Sequence, residues 1–250
     1  MLISPQKIAT LVANRKINPE QIKATEIRAA QYRFIRGALK EDLYEQIVND
    51  PWSADPDFTI DGVGTSDIIN DYKQGLSVIK EGGEKQAITA ISKASSAVLS
   101  VEGHGYADGD LITILGESGD DEWDRLFLYN QFKVAEKETD TFELLTNVVN
   151  QYLKEPLAYY AFALGFYRIM AEASEMGIHI LAIDKGQTPD TDVREQYLKS
   201  LYKTADTLMG EAVDYIQEQS YTEYEGTEGD EQYYTERVMM KGNTARITHI

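Results

Sequence analysis

The stretch that most constrains the fold of this chain runs from Asn150 to Ile178 and reads NQYLKEPLAYYAFALGFYRIMAEASEMGI. Its apolar residues recur at steps of three or four and form two neighbouring lines, which are Leu153, Leu157, Tyr160, Leu164, Tyr167 and Ala171, and Phe162, Phe166 and Met170. A helix that is apolar on two sides has to be covered by other helices. We therefore predict the central helix of a bundle, ended by a left-handed cap at Gly177, and too polar to span a membrane.

Helix signals on both sides of this stretch supply the covering helices. Ser4-Pro5 and Asn18-Pro19 each place an N-cap residue before a proline. The apolar spacing then predicts a helix from Asn18 to Gly37 and another through Leu39, Leu43 and Ile47. A last helix is predicted from residue 190 or 191 to Gln219, with Val193, Tyr197, Leu201, Ala205, Leu208, Ala212 and Tyr215 as its apolar side.

Between the helical parts, at Lys85, the apolar period changes to an alternation typical of strands. The alternating positions are Ile88, Ala90, Val98, Leu99, Val101, Leu111, Ile112, Ile114, Phe127, Phe132, Val134, Phe142 and Leu144. Residues 51–83 are predicted to be a connector with at most one short helix. We expect an α+β protein in which residues 1–84 and 147–219 form a helical-bundle adaptor domain, residues 85–146 form an inserted small all-β, barrel-like domain, and residues 220–250 form an acidic, Tyr-rich, extended tail.

The charge and cysteine content exclude several kinds of function. The chain has 24 Lys and Arg against 42 Asp and Glu, a formal charge of −18, which is the wrong sign for a protein that grips nucleic acid by its phosphates. With no cysteine there is no disulfide, thiolate catalysis or Cys-based zinc site. No secretion signal or membrane-spanning run is recognised. An acidic balance ordinarily serves solubility, although a surface past which DNA slides would also be acidic.

The most motif-like segment is GHGYADGD at residues 103–110. His104 with Asp108 and Asp110 could serve acid/base or metal chemistry, but we interpret the segment as a tight turn between strands, formed by Gly103, His104, Gly105, Gly109 and Asp110. The carboxylates at Asp120, Asp121, Glu122 and Asp124 are predicted to be an exposed acidic run. No nucleotide-binding, protease or metal motif is present, so no catalytic, cofactor or metal residue is predicted.

The 16 tyrosines are informative because Tyr suits surfaces that become buried against a partner. Tyr159, Tyr160 and Tyr167 are predicted to be core residues. Four tyrosines in the acidic tail have no local core to join. The candidate interface is therefore Tyr221, Tyr224, Tyr233 and Tyr234, with Ile247 and Ile250 near the C-terminus.

The helical segments resemble the head–tail adaptor, or head-completion, proteins of tailed bacteriophages, most of all those of crAss-like and related phages of Bacteroidetes. The resemblance rests on ISPQKIATL at 3–11, AAQYRFIRGALKEDLYEQI at 29–47 and the segment at 152–178. Its markers are Gln31, Leu43-Tyr44, Pro156 to Tyr160, and Gly177-Ile178. This chain departs from the family pattern because about a hundred residues separate the second and third segments.

Residues 87–145 resemble a different module. It is the small β-barrel-like repeat of phage tail and virion proteins, related in shape to a half-domain of ubiquitin-activating enzymes. The matching features are GHGYADGD, Gly116, and the closing Asp140, Phe142 and Leu144. That module is non-catalytic, so the resemblance implies no ubiquitin chemistry.

Together the resemblances imply a virion protein of the phage neck, made in the cytoplasm of a bacterial host. Such a protein forms a homo-oligomeric, commonly twelvefold ring below the portal, extends the DNA channel and docks neighbouring neck and tail proteins. Acidic groups would face the DNA, and the C-terminal tail of one subunit would reach a neighbour or the portal. The alternatives are a tail or baseplate component, a carbohydrate-binding decoration, and a hydrolase that uses the His104 region.

Overall fold

The computed structural model describes residues 1–13, 17–39, 41–53, 75–80, 82–91, 97–116, 121–175, 191–218, 236–241 and 244–249. The protein is a mixture of α-helices and β-strands, as predicted. The chain divides into two compact units. The helical unit consists of residues 1–47 and 152–224, and the sheet unit consists of residues 48–151 and 225–250.

The helical unit is built from short N-terminal helices and two long later ones. Helix α1 spans Pro5–Ala13, and α2 spans Ala24–Ala30 and continues through a π-helical turn, Gln31–Ile35, into the short α3, Arg36–Ala38. Helix α4 is Glu41–Asn49, and a 3₁₀ turn, Pro51–Ser53, follows it. Helix α5, Asp121–Phe127, belongs to the sheet unit. A second π-helical turn, Val149–Leu153, leads into α6, Lys154–Glu175, and the last helix is α7, Thr191–Glu218.

Both predicted N-caps are present. The Ser4 hydroxyl accepts the backbone N–H of Lys7 at 3.2 Å, and the Asn18 side chain accepts that of Glu20 at 3.0 Å. The helix predicted from Asn18 is wrong in its first turn, because only the 3₁₀ turn Pro19–Gln21 forms there and the following backbone is extended. Helix α2 therefore starts at Ala24.

Helix α6 is the central helix of its unit and packs against α1, α2 and α7, which confirms the prediction. Its most buried apolar side chains, at or near zero exposure, are Leu157, Ala158, Ala161, Phe162, Phe166 and Ile169, and Leu153 of the preceding π-helical turn is buried as well. Tyr160 is buried as predicted, but Tyr167 is 53% exposed, so its assignment to the core is wrong. Helical periodicity shows which residues share a face but not how far along the helix that face is covered. The predicted cap at Gly177 lies outside the described residues.

The sheet unit is a curled, half-barrel antiparallel sheet. Its strands are β1 (Ser77–Lys80), β2 (Gln86–Ala87), β3 (Ala90–Ile91), β4 (Val98–Ser100), β5 (Leu111–Leu115), β6 (Gln131–Ala135), β7 (Thr141–Thr146), β8 (Glu236–Lys241) and β9 (Thr244–His249). The order is β2-β1-β5-β6-β7-β4-β3, and β8 pairs with both β7 and β9. Its core holds the predicted alternating residues, among them Leu99, Ile112, Phe132 and Phe142.

The predicted start of this domain at residue 85 is too late. Strand β1 lies within the stretch predicted to be a connector, and it pairs with β5 from Ser77↔Leu115 to Lys80↔Ile112. Residues 48–53 also belong here, since the Trp52 carbonyl accepts a hydrogen bond from the Asn147 side chain at 3.1 Å. A four-residue strand is too short for its periodicity to be recognised. The short helix allowed in this stretch falls mostly on residues outside the described ranges.

The expectation of a separate, extended C-terminal tail is also wrong for residues 236–249. They form a β8–β9 hairpin that pairs with β7 of the same chain, through Thr146↔Glu236 and Leu145↔Arg237. Strand β4 pairs with β7 only from Thr141 to Glu143. It therefore leaves the edge of β7 at Leu145 and Thr146 open to another strand. The hairpin covers this edge within the chain.

The prediction of an all-β domain fails at α5. Phe127, predicted in a strand, ends this helix at 1% exposure, and Asp124, predicted in an exposed acidic run, is 2% exposed. The Leu128 N–H donates to the Asp124 carbonyl at 3.1 Å, and the Tyr129 N–H donates to the Ile114 carbonyl of β5 at 2.9 Å. The helix thus lies on the sheet, with one side facing inward.

Candidate functional site

The turn at residues 103–110 connects β4 to β5. Gly103, Gly105 and Gly109 have φ values of +59°, +65° and +88°, the left-handed region that favours glycine. The Gly103 N–H donates to the Asp140 carboxylate at 2.9 Å, and the Gly109 N–H donates to the Val134 carbonyl at 2.8 Å. The glycines are therefore used to fold the backbone back against β6 and the approach to β7.

His104 is 4% exposed, and its ring is part of the core of the sheet unit. Its Nδ1 accepts the backbone N–H of Tyr106 at 2.9 Å. The ring stacks on Tyr106 at a centroid distance of 5.1 Å and meets the edge of Phe142 at 5.0 Å. Burial, together with the nearby Asp110 carboxylate, raises the pKa of the Tyr106 hydroxyl to about 12. His104 is thus placed as an anchor of the turn, away from solvent.

The two aspartates of the turn are both hydrogen-bonded. Asp110 accepts from the Lys80 ammonium at 2.7 Å and from the Ala107 N–H at 2.9 Å, and Asp108 accepts from the Lys137 N–H at 3.0 Å. Partial burial opposes the ionisation of Asp110, but the Lys80 ammonium and the Ala107 N–H outweigh it and lower the pKa of this carboxyl. Across the described ranges, no group of three or more acidic or histidine side chains is arranged to hold a metal ion.

The predicted interface residues are mostly beyond what the structure describes. Tyr221, Tyr224, Tyr233, Tyr234 and Ile250 lie outside the described residues. Ile247 lies in β9, where the backbone alone is described. The interface assigned to these residues stays a prediction.

The structure brings forward an exposed basic face that the sequence reasoning missed. It consists of Arg28, Ala29, Tyr32, Arg33 and Arg36 on α2, the π-helical turn and α3, and we call it the basic face. Tyr32 is 63% exposed, and the Arg36 guanidinium lies 4.5 Å from the centroid of its ring. Arg36 also donates two hydrogen bonds to Glu41, at 2.7 and 2.5 Å. Of the three arginines, Arg28 and Arg33 form no ion pair with another described residue.

The basic face lies in an N-terminal segment whose net charge is opposite in sign to that of the rest of the chain. The first 40 residues contain eight Lys and Arg and two Glu, a net charge of +6, which leaves −24 for the rest of the chain. The basic residues are Lys7, Arg15, Lys16, Lys23, Arg28, Arg33, Arg36 and Lys40. A charge count by segment would have found this feature, whereas the count over the whole chain concealed it.

A second exposed face, of opposite charge, lies on the later part of α7. Glu211, Asp214 and Glu218 follow one another at steps of three and four, are all exposed, and therefore share one side of the helix; we call them the acidic face. From Thr204 to Glu218 the helix contains no Lys or Arg. The chain thus has two helix surfaces of opposite charge in its helical unit.

The basic face is held in place by an ion pair between α2 and α6. Arg168 donates to the Glu26 carboxylate from Nε at 2.9 Å and from Nη2 at 2.7 Å, and to the Gln21 carbonyl at 2.5 Å. Glu26 also accepts the Lys23 N–H at 3.2 Å. Gly165 leaves room for this carboxylate, since a Cβ there would lie 2.6 Å from Oε2 of Glu26. The start of α2 is therefore fixed to the central helix.

The described residues form a helical unit and a sheet unit, and the helical unit carries two exposed helix surfaces of opposite charge. Residues 114–233 match the sequence profile of a family of unknown function, DUF6712. The match begins in β5 and includes β6, β7, α6 and α7. The similarity to this family therefore covers segments of both units. Comparison with curated proteins and with solved structures finds no match.

In the part of the chain that the structure describes, no helix is long and apolar enough to cross a bilayer. Helix α6, the central helix, is covered by other helices of its own unit.

Proposed function

We propose that this protein is a structural component of a phage virion, which forms a homo-oligomeric ring, commonly twelvefold, in the neck between head and tail. It docks below the portal, extends the DNA channel and contacts the adjacent neck and tail proteins. The observation that supports this most is the assembly of the helical unit. The stretches at 3–11, 29–47 and 152–178, which carry the resemblance to the adaptor proteins, fall within one compact unit although about a hundred residues separate the second from the third.

The inserted stretch supports the same proposal. Residues 87–145, which resemble the β-module of phage tail and virion proteins, fall within the sheet unit. The turn glycines and aspartates that carry this second resemblance are engaged in backbone and carboxylate hydrogen bonds. In the proposed particle this unit serves as a docking body and performs no reaction.

The charge supports passage of DNA rather than its capture. A formal charge of −18 repels phosphates, so a ring with acidic groups around its lumen would let the genome slide without specific binding. In a ring of identical subunits each acidic group is repeated around the symmetry axis. The electrostatic part of the proposal fails if the inner wall of the ring is neutral or basic.

The test is a cryo-electron-microscopy reconstruction of the portal and neck of the particle that contains this chain. A ring of helices directly below the portal is the expected result. Density confined to the distal tail would instead favour a tail or baseplate component, and its absence from the particle would overturn the proposal.

A hydrolase remains the alternative from a different class, and His104 is the residue to test. Its Nδ1 already accepts a hydrogen bond from the backbone, and its ring is buried between two aromatic side chains. We therefore expect the purified protein and its His104→Ala variant both to lack hydrolytic activity on glycan and ester substrates. An activity present in the wild type and lost in a folded variant would favour the enzyme.

A further inference from the structure

We propose that the basic face of one copy of this chain binds the acidic face of a second copy, and that this contact joins neighbouring subunits. The inference rests on the proposed function in so far as it requires a homo-oligomer. It names the two surfaces that meet, which neither the resemblance nor the family match assigns.

The basic face has the composition of a protein interface. Arginine and tyrosine are the residues enriched where proteins bind one another, because each combines a large contact area with directional hydrogen bonding. Tyr32 is 63% exposed, the largest such value among the exposed large hydrophobic side chains of the described residues. The Arg36 guanidinium stacked on it at 4.5 Å restricts both side chains before any partner arrives. Less side-chain entropy is then lost on binding.

The acidic face matches the basic face in length and in sign. Arg28 and Arg33, the two arginines without an ion partner among the described residues, are five residues apart, about 7–8 Å along a helix, and Asp214 and Glu218 are four apart, about 6 Å. Two helices laid side by side would therefore bring the arginines within reach of the carboxylates. Planar guanidinium groups bind carboxylates through two parallel hydrogen bonds, which makes Arg the suitable partner for Glu and Asp.

A second copy fits the basic face better than DNA does. A duplex would have to approach a chain whose residues beyond the first 40 carry a net charge of −24, and the basic face has only two arginines without an ion partner in the described structure. A second copy is also acidic overall, but its acidic face presents only three carboxylates to the two arginines, so the charges that meet at the contact are nearly balanced. We therefore assign the face to a protein partner of the same sequence.

The contact is of the head-to-tail kind. Each copy carries one basic and one acidic face, so a bound copy still offers a free face at either end and association continues until a ring closes. A contact between identical patches would place Arg against Arg and is disfavoured. The pairing of opposite faces thus leads from one interface to a closed assembly.

Charge reversal tests the pairing in the full-length chain. One variant reverses the basic face with Arg28→Glu and Arg33→Glu, and the other reverses the acidic face with Glu211→Lys, Asp214→Lys and Glu218→Lys. All five side chains are exposed, so the fold is retained and is checked by circular dichroism. A control, Lys199→Glu with Lys203→Glu, lowers the net charge as much as the first variant but only makes α7 more acidic.

The measurement is sedimentation velocity at low ionic strength, where surface charges are least screened. We expect the wild type and the control to self-associate, each reversed variant to associate about tenfold or more weakly, and a mixture of the two reversed variants to recover assembly. In that mixture, acid again faces base at every contact. A monomeric wild type, an equal loss in the control, or no recovery on mixing would each overturn the proposal.

A separate arm uses a short DNA duplex as the probe, with binding measured by fluorescence anisotropy. Duplex binding that disappears with Arg28→Glu and Arg33→Glu, while self-association is unchanged, would assign the basic face to DNA and refute the pairing. The subunit contact proposed here and the proposed function can be refuted separately. A chain that assembles through these faces but is missing from the virion would refute only the proposed function, and a neck ring with other subunit contacts would refute only this inference.

Discussion

Replacing Gly165 with alanine tests the packing of α2 on the central helix. A glycine-to-alanine change inside a helix ordinarily stabilises a protein by about 1 kcal/mol, because alanine has the higher helix propensity. At Gly165 we expect the opposite sign. The new Cβ would lie 2.6 Å from Oε2 and 2.8 Å from Cδ of Glu26, so the carboxylate would have to move.

The cost follows from what holds that carboxylate. Glu26 accepts hydrogen bonds from the Lys23 N–H and from Nε and Nη2 of Arg168. Hydrogen bonds to charged groups are each worth about 1.5–3 kcal/mol when buried, but the Arg168 side chain is 32% exposed, so we take the low end. Displacement with the resulting overpacking should cost about 2–3 kcal/mol. After subtraction of the propensity gain, Gly165→Ala should destabilise the helical unit by about 1–2 kcal/mol.

The sign should reverse when Glu26 is shortened. In a Glu26→Ala background the carboxylate nearest to the new methyl group is gone, so Gly165→Ala should stabilise by up to about 1 kcal/mol. Gly210→Ala in α7 is the matched control, since a Cβ there has no atom within 4 Å and only the propensity gain applies. Urea unfolding followed by far-UV circular dichroism reports on the helices. Trp52 and Trp123 both belong to the sheet unit, so their fluorescence follows that unit separately.

One result would refute this reasoning. If Gly165→Ala stabilises the wild-type chain as much as Gly210→Ala does, the Glu26 carboxylate is not confined by α6. The ion pair with Arg168 would then not be what fixes α2, and the position of the basic face would need another explanation.

Three further predictions concern the sheet unit. Gly116 has a φ of +108°, and a Cβ there would overlap the Gly75 carbonyl. Gly116→Ala should therefore lower the free energy of unfolding, followed by fluorescence, by more than about 3 kcal/mol. A loss below about 1 kcal/mol would contradict the close approach of the two backbones. Folding raises the pKa of Tyr106 from about 10 to about 12, so the contribution of this residue to stability is present below about pH 10 and is lost as the pH rises through about 12. The Tyr106→Phe variant should therefore lose less stability than the wild type over this pH range. An equal loss in both proteins would argue against the burial of the hydroxyl. Folding lowers the pKa of Asp110, so the stabilisation by Lys80 is present above the ordinary carboxyl pKa of about 3.9 and is lost in stronger acid. Lys80→Met should therefore lower the free energy of unfolding by less than about 1 kcal/mol at neutral pH and leave it unchanged in strong acid. Urea unfolding at several pH values measures both.

The long elements of the fold could be predicted from the sequence because their periodicity extends over several turns. Helix α6 was expected within 150–178 and is Lys154–Glu175, and α7 was expected from 190 or 191 to 219 and is Thr191–Glu218. The strands β4 to β7 lie where the alternation of apolar residues predicted them. Burial of one face of a helix or strand produces a regular spacing of apolar residues, and this spacing can be read from the sequence alone.

The parts that could not be predicted depend on contacts between distant segments. Strand β1 and the β8–β9 hairpin are identified by their partners β5 and β7, and a short strand has too few residues to show a period. Asp124 is buried because α5 packs on the sheet, a fact that its acidic sequence context conceals. Tertiary packing here overrides the local signal.

The candidate surfaces show the same limit. The turn at 103–110 was recognised because its glycines and aspartates have fixed conformational uses. The basic face was not recognised, since its arginines are spaced along a helix and lie in a chain with an overall negative charge. Only the exposure of Tyr32 and the position of Arg36 over its ring bring them together as a surface.

The division of the helical unit between residues 1–47 and 152–224 has a consequence during synthesis on the ribosome. The buried faces of α1 and α2, including Ile8 and Ile27, have no central helix to cover them until residue 152 and those after it have been translated. At about 5–20 residues per second, the intervening stretch delays them by roughly 5–20 s. For that time the nascent chain exposes an apolar surface, which makes it a natural client for a chaperone that binds early in translation.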